Sequence, residues 1–431
     1  MNNDTIFALS SGFGKSGVAV IRISGDNLHD LFAKISNRKK FEARHAYFTN
    51  LKDENSELID QCVIIYFVAP ASFTGQDIIE IHSHGAPAVI NKILDFLSKQ
   101  NARLAEPGEF SRRAFFNGKM DLTDVDGLAA LLDAQTDKQR QFALKSMLGG
   151  DSEKYIAWRN EMVEIAAYSA AILDYDENDL PANITEKILT KTKELYQEIN
   201  TALSHYNISR AITHGFNIAL VGETNVGKSS IFNKLVGANR AIVSNTPGTT
   251  RDVISAQIDI DGYLVNLSDT AGLRETDDQI EQMGIDRTKY EQENADLVLH
   301  VFCDDTDTQP DNKTIIVINK SDEIKSRNNK NAIYTSAKTG AGTDNLLNTI
   351  RDKMHSMLDN RDNTLVINAR TYKLLTDTKI ELEHAIEKFD GNYDIFSEHV
   401  RRAADNIGKI LGTITANDVM DATFSQLCLG K

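Results

Sequence analysis

Cysteine is scarce in this sequence: the 431 residues contain 3, Cys62, Cys303 and Cys428. They lie far apart, and neither a CxxC pair nor the Cys/His spacing of a zinc ligand set accompanies them. The pattern therefore predicts neither a disulfide framework nor a zinc site, and it is typical of a protein from a reducing compartment.

Long apolar segments are also missing. The longest apolar run, CVIIYFVAP from Cys62, is far too short to span a membrane. The first residues, MNNDTIFALSSGFGKSG, lack a basic stretch followed by an apolar one, so they do not read as a signal peptide. We therefore expect a cytoplasmic protein with no membrane contact.

Positive charge is in deficit too, since the formal net charge is -15. Bulk electrostatics argue against a protein coated in nucleic acid, although a local basic patch, or a partner that carries the RNA contacts, stays open. Hydrophobic residues make up 41% and charged residues 25% of the chain, which fits a globular protein with apolar cores. The length predicts more than one domain.

Hydrophobic patterns divide the chain into four segments. Residues 1–117 mix strand-length runs, such as VAVIRIS and DIIEIHSHG, with a helical pattern in PAVINKILDFLSKQ. Residues 118–210 and 351–431 have apolar residues at helical spacing. Residues 211–350 alternate helices with the apolar runs FNIAL, YLVNLS, LVLHVF and TIIVIN, as a buried parallel sheet requires. We predict a multidomain protein, α/β plus all-α: an α+β N-terminal domain, and a helical domain interrupted by an inserted α/β domain.

A strand, a glycine-rich loop and a helix follow one another near the start of the inserted domain. Residues 222–229, GETNVGKS, fit the pattern G-x-x-x-x-G-K-[ST], whose backbone N–H groups and helix N-terminus bind phosphates. We expect Lys228 to contact the β and γ phosphates and Ser229 to ligate Mg²⁺. The nucleotide-binding residues predicted here are Asn225, Val226, Gly227, Lys228, Ser229 and Ser230.

Three further segments indicate that the nucleotide is GTP. Asp269 ends a strand and is expected to hold Mg²⁺ through water, while the Gly272 amide contacts the γ-phosphate. The Asp322 carboxylate in NKSD can accept from both N1–H and the N2 amine of guanine, a donor pair that adenine lacks. These segments resemble a Ras-like P-loop GTPase of the translation-factor class. The predicted contacts are Asp269, Thr270, Ala271, Gly272, Asn319, Lys320, Asp322, Ser336, Ala337 and Lys338.

The switch machinery is less ordinary. Thr250, in the loop NTPGTTRD, is the natural second Mg²⁺ ligand. Leu273 follows DTAG at the position where small GTPases commonly use a glutamine to orient the attacking water, so another polar group must serve. Arg251 and Arg274 are candidates for an arginine finger, and each is equally plausible as a surface residue. Alternatively, Asn225 and carbonyl groups of residues 244–249 would hold a monovalent cation against the phosphates.

Together with these motifs, the chain resembles the MnmE (TrmE) family of tRNA modification GTPases over essentially its whole length. The further matching stretches are RISG from Arg22, SFTGQDIIEIHSHG from Ser72, PGEFSRRAFFNGKMDL from Pro107, and the terminal CLGK. The resemblance implies that residues 1–117 form a tetrahydrofolate-binding-like domain that mediates homodimerisation and binds a 5-formyltetrahydrofolate-type one-carbon donor. By motif, the folate contacts are Arg22, Glu80, Lys119 and Lys431.

The resemblance also implies that residues 211–350 are a GTPase domain activated by K⁺ when two such domains meet in the homodimer. By motif, K⁺ is bound by Asn225, Ser244, Thr246 and Thr249, and Mg²⁺ by Ser229 and Thr250. The remaining nucleotide contacts of the switch loop are Asn245, Pro247 and Gly248. Glu281 corresponds to the family's water-orienting acid, and the predicted catalytic residues are Glu281, Lys228 and Cys428.

The partner that the resemblance implies is the flavoprotein GidA (MnmG). Together they add an aminomethyl or carboxymethylaminomethyl group to C5 of the wobble uridine in certain tRNAs. The chain departs from the family pattern at Thr224, where proline is usual. Whether the Cys428 thiol takes part in chemistry or only packs stays open. Glu80, His82 and His84 alternate along one strand and permit a metal site, but a second ligand segment is missing.

Two other functions stay open. The first is a GTP-gated switch for RNA or ribosome assembly without modification chemistry, which an RNA-binding C-terminal module would favour. The second is a folate-dependent one-carbon transferase that GTP regulates, and it would act without the flavoprotein.

Overall fold

The chain folds into two compact units. The first comprises Met1–Ala129, Ser146–Ile188 and His384–Lys431, and the second comprises Ala130–Lys145 and Leu189–Glu383. This structure is a computed structural model, which describes residues 4–175, 183–242, 254–269, 291–324, 326–358, 365, 368–389, 392–413, 427 and 430.

A mostly antiparallel sheet of 6 strands is the centre of the first unit. The strands are β1 (Thr5–Leu9), β2 (Ser16–Gly25), β3 (Tyr47–Lys52), β4 (Leu58–Phe67), β5 (Asp77–Gly85) and β6 (Ala102–Leu104). In space they follow the order β3-β4-β5-β2-β1-β6. β1 and β6 pair in parallel, and the other neighbours are antiparallel.

The helices fall into three groups. Those within the first unit are α1 (His29–Ser36), α2 (Pro87–Ser98), α3 (Glu109–Phe116), α6 (Ser152–Asp174) and α12 (Tyr393–Leu411). Those within the second unit are α8 (Tyr206–His214), α9 (Lys228–Ala238) and α10 (Thr343–Leu358). Helices that continue from one unit into the other are α4 (Leu122–Asp133), α5 (Asp137–Met147), α7 (Ile184–Ser204) and α11 (Ala369–Glu387).

The two faces of the first sheet differ, because alternate residues of a strand point to opposite faces. Ile21 of β2 lies opposite Ile81 of β5, and both are fully buried in a core that α1 and α2 complete. The next residue of β2, Arg22, therefore points to the other face, where it lies opposite Glu80. The register of two strands thus brings two predicted folate contacts together.

The helical part of the first unit is held by α6 and α12, which pack along each other. Phe396, Val400 and Ile407 of α12 recur at helical spacing and are fully buried. Trp158 of α6 is buried as well. The helical patterns predicted for these two segments are therefore confirmed.

A sheet of 7 strands is the centre of the second unit. Its spatial order is β13-β12-β11-β7-β10-β9-β8. The first five of these run parallel, while β9 and β8 are antiparallel at one edge. The strands are β7 (Phe216–Val221), β8 (Arg240–Ile242), β9 (Ile254–Ile260), β10 (Tyr263–Asp269), β11 (Leu297–Phe302), β12 (Thr314–Ile318) and β13 (Ala332–Tyr334).

The parallel strands bring the predicted nucleotide motifs to one edge. The glycine-rich loop follows β7, Asp269 ends β10, Asn319 follows β12, and Thr335 follows β13. In parallel α/β sheets ligands bind outside the carboxyl ends of the strands. All four predicted parallel strands are present, while the four domain boundaries stay a prediction. Among the described helices, none is both long and apolar enough to cross a bilayer.

Candidate functional site

The glycine-rich loop is a tight connection between β7 and α9. Gly227, the last loop residue, has a φ of 94°, a conformation that residues with a Cβ rarely adopt. A Cβ at this position would also overlap the side-chain nitrogen of Asn319. The loop therefore requires glycine at residue 227, and it leads directly into the N-terminus of α9, the end of a helix that favours anions.

Lys228 is the first residue of α9, and its side chain folds back under the loop. Its ammonium group donates to the carbonyl oxygens of Gly222 and Glu223, each at 2.7 Å. Only 4% of the residue is exposed. Burial lowers the pKa of Lys228, and the carboxylate of Asp269 opposes that shift. An anion at the loop would give this buried cation a better partner than two neutral carbonyls.

Ser229 and Asp269 form the second part of the site. The hydroxyl of Ser229 donates to Asp269 Oδ2 at 2.6 Å, although the two residues are 40 positions apart in the chain. Asp269 is fully buried at the end of β10, and Ser229 is exposed. A hydroxyl and a carboxylate at this separation are the hard oxygen ligands that Mg²⁺ prefers, so both residues fit a magnesium site.

Asn319 joins the phosphate loop to the expected base-binding loop. Its side-chain nitrogen donates to Val226 O at 2.9 Å, and its side-chain oxygen accepts from the Ala337 N–H at 3.2 Å. The residue is 2% exposed, so both bonds are protected from water. A backbone bond from Ser321 N–H to Thr335 O at 2.9 Å holds the same two base-side segments together.

Asp322 has the electrostatic state that guanine recognition needs. A hydrogen bond from the Ser336 side chain, assisted by the nearby cation of Lys338, lowers the pKa of the Asp322 carboxyl. The group is therefore ionised at neutral pH and keeps its acceptor oxygens towards solvent. Lys320, between this segment and β12, adopts a φ of 55°.

The structure brings together the described nucleotide residues, which are Asn225, Val226, Gly227, Lys228, Ser229, Ser230, Asp269, Asn319, Lys320, Asp322, Ser336, Ala337 and Lys338. Asn225 is exposed in the loop with a φ of 63°, a conformation that asparagine tolerates better than most residues. The remaining predictions for this site lie outside the described residues: Ser244, Asn245, Thr246, Pro247, Gly248, Thr249, Thr250, Thr270, Ala271, Gly272 and Glu281.

In the first unit, Arg22 and Glu80 form an ion pair on the face of the sheet opposite the α1–α2 core. Nε and Nη2 of Arg22 both donate to Oε1 of Glu80, at 3.1 and 2.9 Å respectively. The same guanidinium lies over the ring of Phe73, 5.3 Å from its centroid. Because 16% of each side chain is exposed, the pair still presents polar groups to a ligand.

Lys119 contacts the same short stretch of chain. Its side chain lies beside Gly75, two residues after the Phe73 ring on which Arg22 stacks. Leu427, near the end of the chain, is 2% exposed and belongs to an apolar cluster that Phe73 also contacts. Arg22 and the apolar cluster of Leu427 therefore both contact Phe73, a residue that the motif analysis did not single out.

Within the terminal motif CLGK, the structure describes Gly430. Its carbonyl oxygen accepts a hydrogen bond from the Ser10 hydroxyl at 3.0 Å. A Cβ on Gly430 would overlap the carbonyl oxygen of Leu9, and its φ of 92° also disfavours other residues. The tail is thus anchored on both sides of Cys428, which, with Lys431, lies outside the described residues.

Sequence reasoning missed a polar cavity of about 580 Å³ in the first unit. Arg103 and Arg113 on its wall both pair with Asp4 and Glu109. Burial alone would raise the pKa of Glu109, but the bond from Arg103 holds it below its usual value. Glu109 and Arg113 were visible as charges in EFSRR, but Asp4, which pairs with Arg113, is 109 residues away in the sequence.

Glu80, His82 and His84 share a strand face but not a common ligand set. Glu80 pairs with Arg22, and its other oxygen lies 3.4 Å from His82 Nε2. His84 instead faces Asp60, with 2.8 Å between Nδ1 and Oδ1. These separate partners argue against the metal alternative for this strand.

Two family models match this chain. The family model for the TrmE N-terminus matches residues 5–119, and the model for the MnmE helical domain matches residues 122–428. The tRNA modification GTPase MnmE of Wolbachia pipientis subsp. Culex pipiens is 40% identical over 446 aligned residues, which cover 100% of this chain and 99% of the relative. The chain belongs to the MnmE family of tRNA modification GTPases.

Another MnmE relative, from Agrobacterium fabrum, is 39% identical and covers 99% of both chains. The fold class is therefore confirmed: a TrmE-type α+β N-terminal domain, and an MnmE helical domain interrupted by a Ras-like P-loop GTPase domain. Among solved structures, the G domain of the T. maritima FeoB iron transporter is 26% identical, and the match covers 33% of this chain and 98% of that one. Its TM-score is 0.24, so no argument rests on it.

Proposed function

We propose that this chain hydrolyses GTP in a K⁺-stimulated, dimer-dependent cycle that drives tRNA modification. As a member of the MnmE family, it is a GTP-hydrolysing enzyme. The observation that carries the proposal is the contact between Ser229 and Asp269 beside the buried ammonium of Lys228. One cation and two hard oxygen ligands at the end of a glycine-rich loop suit a Mg²⁺-bound nucleoside triphosphate.

Guanine specificity is proposed for Asp322. An ionised carboxylate offers two acceptors, and guanine presents two adjacent donors, N1–H and the N2 amine. The hydrogen bond from Ser336 supports this role because it stabilises the charged form of Asp322. Asn319, Lys320, Ala337 and Lys338 would line the same pocket.

The cations of the site would be Mg²⁺ and K⁺. Ser229 and Asp269 fit Mg²⁺, directly or through water, and Thr250 would complete its protein ligands. Asn225 fits K⁺, because its side-chain amide is exposed on the loop where it can reach a phosphate-bound ion. Ser244, Thr246 and Thr249 would supply the other K⁺ ligands. When bound, K⁺ supplies the positive charge that an arginine finger brings in other GTPases.

The first unit would bind the folate. Glu80 would accept from the pterin amine and ring N–H, while Arg22, Lys119 and Lys431 would bind the glutamyl carboxylates. The contacts of Arg22 with Phe73 and of Lys119 with Gly75 support a shared pocket. The anchored tail supports a role for Cys428 in this pocket, since Leu427 and Gly430 are held on either side of it.

The RNA step completes the proposal. With a flavoprotein of the GidA (MnmG) type, a homodimer of this chain would add an aminomethyl or carboxymethylaminomethyl group to C5 of the wobble uridine. The relatives named tRNA modification GTPase MnmE support this reading over an assembly switch. A folate-dependent transferase that needs no flavoprotein would instead modify tRNA without any partner protein.

The deciding experiment is GTP hydrolysis by the full-length protein in K⁺ and in Na⁺ at equal ionic strength. We expect K⁺ to raise the rate, and we expect Asn225→Ala to abolish the difference between the two salts. Glu281→Ala should lower the rate in both salts, because it removes the acid that orients water. Equal rates in both salts for the unaltered protein would refute the cation model and direct attention to Arg251 or Arg274.

Two controls accompany this assay. Asn348→Ala, on the exposed side of α10, removes an amide far from the nucleotide motifs and should keep the K⁺ response. A tRNA modification assay with and without added flavoprotein then separates the functions. Modified uridine formed without the flavoprotein would support the independent transferase instead.

A further inference from the structure

The connection between α1 and β3 in the first unit is strongly basic. Residues 34–45, KISNRKKFEARH, contain five lysines and arginines and one acid, a local net charge of +4 in a chain whose net charge is -15. The charged side chains are Lys34, Arg38, Lys39, Lys40, Glu42 and Arg44, and all of them are exposed. A positive surface of this kind on an acidic protein is a local feature that needs its own explanation.

The basic side chains of this loop are not neutralised by the protein itself. Among the residues that the structure describes, no carboxylate forms an ion pair with Arg38, Lys39, Lys40 or Arg44. Other lysines of the same unit behave differently: Lys92 lies 3.2 Å from Asp53. The loop therefore keeps its charge available for an external anion.

The loop is also held in one conformation. The Glu42 N–H donates to the Tyr47 hydroxyl at 2.7 Å, and the Arg44 N–H donates to Tyr66 O at 2.7 Å. The Arg44 guanidinium bonds to Ala71 O at 2.6 Å. A surface whose backbone is already fixed loses less conformational entropy when it binds.

The aromatic residues of the region support the loop from below. The ring of Phe41 packs on Phe32 and Tyr66, and the guanidinium of Arg38 lies 4.9 Å from the centre of the Tyr47 ring. None of the exposed large hydrophobic side chains lies within residues 34–45. A surface that inserts into lipid needs such side chains, whereas one that binds a phosphodiester backbone needs only accessible cations.

We propose that residues 34–45 are an RNA-binding surface that contacts the phosphate backbone of tRNA. This inference rests on the proposed function in tRNA modification and adds where the RNA touches the chain. Lys39 and Lys40, together with Arg38, provide sequence-independent contacts that position the RNA and do not read its bases.

The test compares two double variants of the full-length protein. Lys39→Gln with Lys40→Gln removes two free charges of the loop. Lys92→Gln with Lys99→Gln removes the same charge from the same unit, where Lys92 pairs with Asp53 and Lys99 lies 3.7 Å from Glu54. The probe is a fluorescent, unmodified tRNA transcript with uridine at the wobble position, titrated at several salt concentrations.

We expect the loop variant to bind the transcript about tenfold more weakly at low salt. The slope of log K against log salt should fall in magnitude by about 1.5, because two phosphate contacts are lost. The control variant should change neither quantity by more than about twofold. Equal losses in both variants, unaltered binding in the loop variant, or no binding by the unaltered protein would each overturn the proposal.

Two further readouts make the result specific. Vesicles that contain phosphatidylserine are titrated in parallel, and a loop-dependent affinity for vesicles without one for the transcript would assign the surface to a membrane instead. GTP hydrolysis is measured on the same samples as a test of folding. If the unaltered protein does not hydrolyse GTP, the proposed function is refuted. If it hydrolyses GTP but the loop variant binds the transcript as well as the unaltered protein does, only this surface is refuted.

Discussion

The hydroxyl of Ser229 donates a hydrogen bond to the carboxylate of Asp269 at 2.6 Å, and this bond links the phosphate loop to the DTAG segment. Their contact joins the first residues of α9 to the end of β10. Both oxygens are of the hard type that Mg²⁺ prefers, so this contact is where the ion would be held, directly by Ser229 and directly or through water by Asp269.

Replacement of Ser229 by alanine is expected to weaken the response to magnesium. Since one hard ligand is lost, the Mg²⁺ concentration for half-maximal GTP hydrolysis should rise by about tenfold or more. The measurement is a Mg²⁺ titration of the hydrolysis rate at saturating GTP. Ser204→Ala removes an exposed hydroxyl at the end of α7 and should leave the titration unchanged.

A second prediction concerns the base. Asp322→Asn replaces one of the two acceptors by a donor, which clashes with guanine and suits xanthine, whose C2 carries an oxygen. Two charge-assisted hydrogen bonds are at stake, so the affinity for GTP should fall by roughly a hundredfold or more, while xanthosine triphosphate becomes the better ligand. Competition binding with both nucleotides measures the change. Asp307→Asn, in an exposed loop of the same unit, should not alter the preference.

Two glycines of the same helix region should respond in opposite ways to alanine. Gly227→Ala meets a positive φ and the side chain of Asn319, so it should lower the free energy of unfolding by about 2 kcal/mol and abolish nucleotide binding. Gly237→Ala, near the end of α9, meets open space and should raise that free energy by about 0.5 kcal/mol. Urea unfolding of both variants gives the comparison, and a neutral result at residue 227 would contradict the steric argument.

The strand patterns of the second unit were sufficient to predict its parallel sheet, because strands buried on both faces are almost wholly apolar. β7, β10, β11 and β12 each match a predicted run. The spacing of the motifs then predicted which loops meet at the carboxyl end of the sheet. The helical patterns of α6 and α12 were equally clear, since their buried residues recur every third or fourth position.

Long-range partners were not predictable in the same way. Arg22 and Glu80 meet across strands 58 residues apart, and Asn319 reaches Val226 across 93 residues. Such contacts depend on strand register and loop geometry, which a local pattern does not contain. The motif resemblance named Arg22 and Glu80 as ligand contacts, but only the structure shows that they bind each other.

The terminal anchor allows a test that separates the two units functionally. Gly430→Ala should release the tail, since the new Cβ would overlap Leu9 O. Because the GTPase motifs are all in the second unit, basal hydrolysis should persist while tRNA modification is lost. The matched control is Gly12→Ala. Gly12 lies on the β1–β2 connection, as does Ser10, which bonds to Gly430, but a Cβ at residue 12 would meet open space. Full modification by the Gly430 variant would show that the anchor has no role in the reaction.

A pH-dependent prediction concerns Asp124 in α4. Burial, together with the nearby carboxylates of Asp121 and Asp151, raises its pKa to about 6, against about 3.9 in an unfolded chain. The folded protein therefore binds more protons than the unfolded chain between about pH 4 and 6, so its unfolding free energy falls as the pH rises through this range. Above it, the ionised carboxylate destabilises the fold.

Asp124→Asn should remove this loss. After allowance for partial exposure, the variant should exceed the unaltered protein by about 1–2 kcal/mol at pH 7.5, with the difference shrinking towards pH 4. Urea unfolding at a series of pH values measures it. Asp133→Asn, exposed at the end of the same helix, should show no such trend. A pH-independent difference for Asp124→Asn would mean that titration is not its cause.

The bridge made by Asn319 has a thermodynamic consequence for ligand exchange. The phosphate loop and the base-side loop are joined by protein atoms alone, through Val226 O on one side and the Ala337 N–H on the other. The entropy cost of bringing the two loops into register is therefore met when the protein folds, not when GTP binds. Nucleotide can then leave by releasing its own contacts, with the two halves of its pocket still in register.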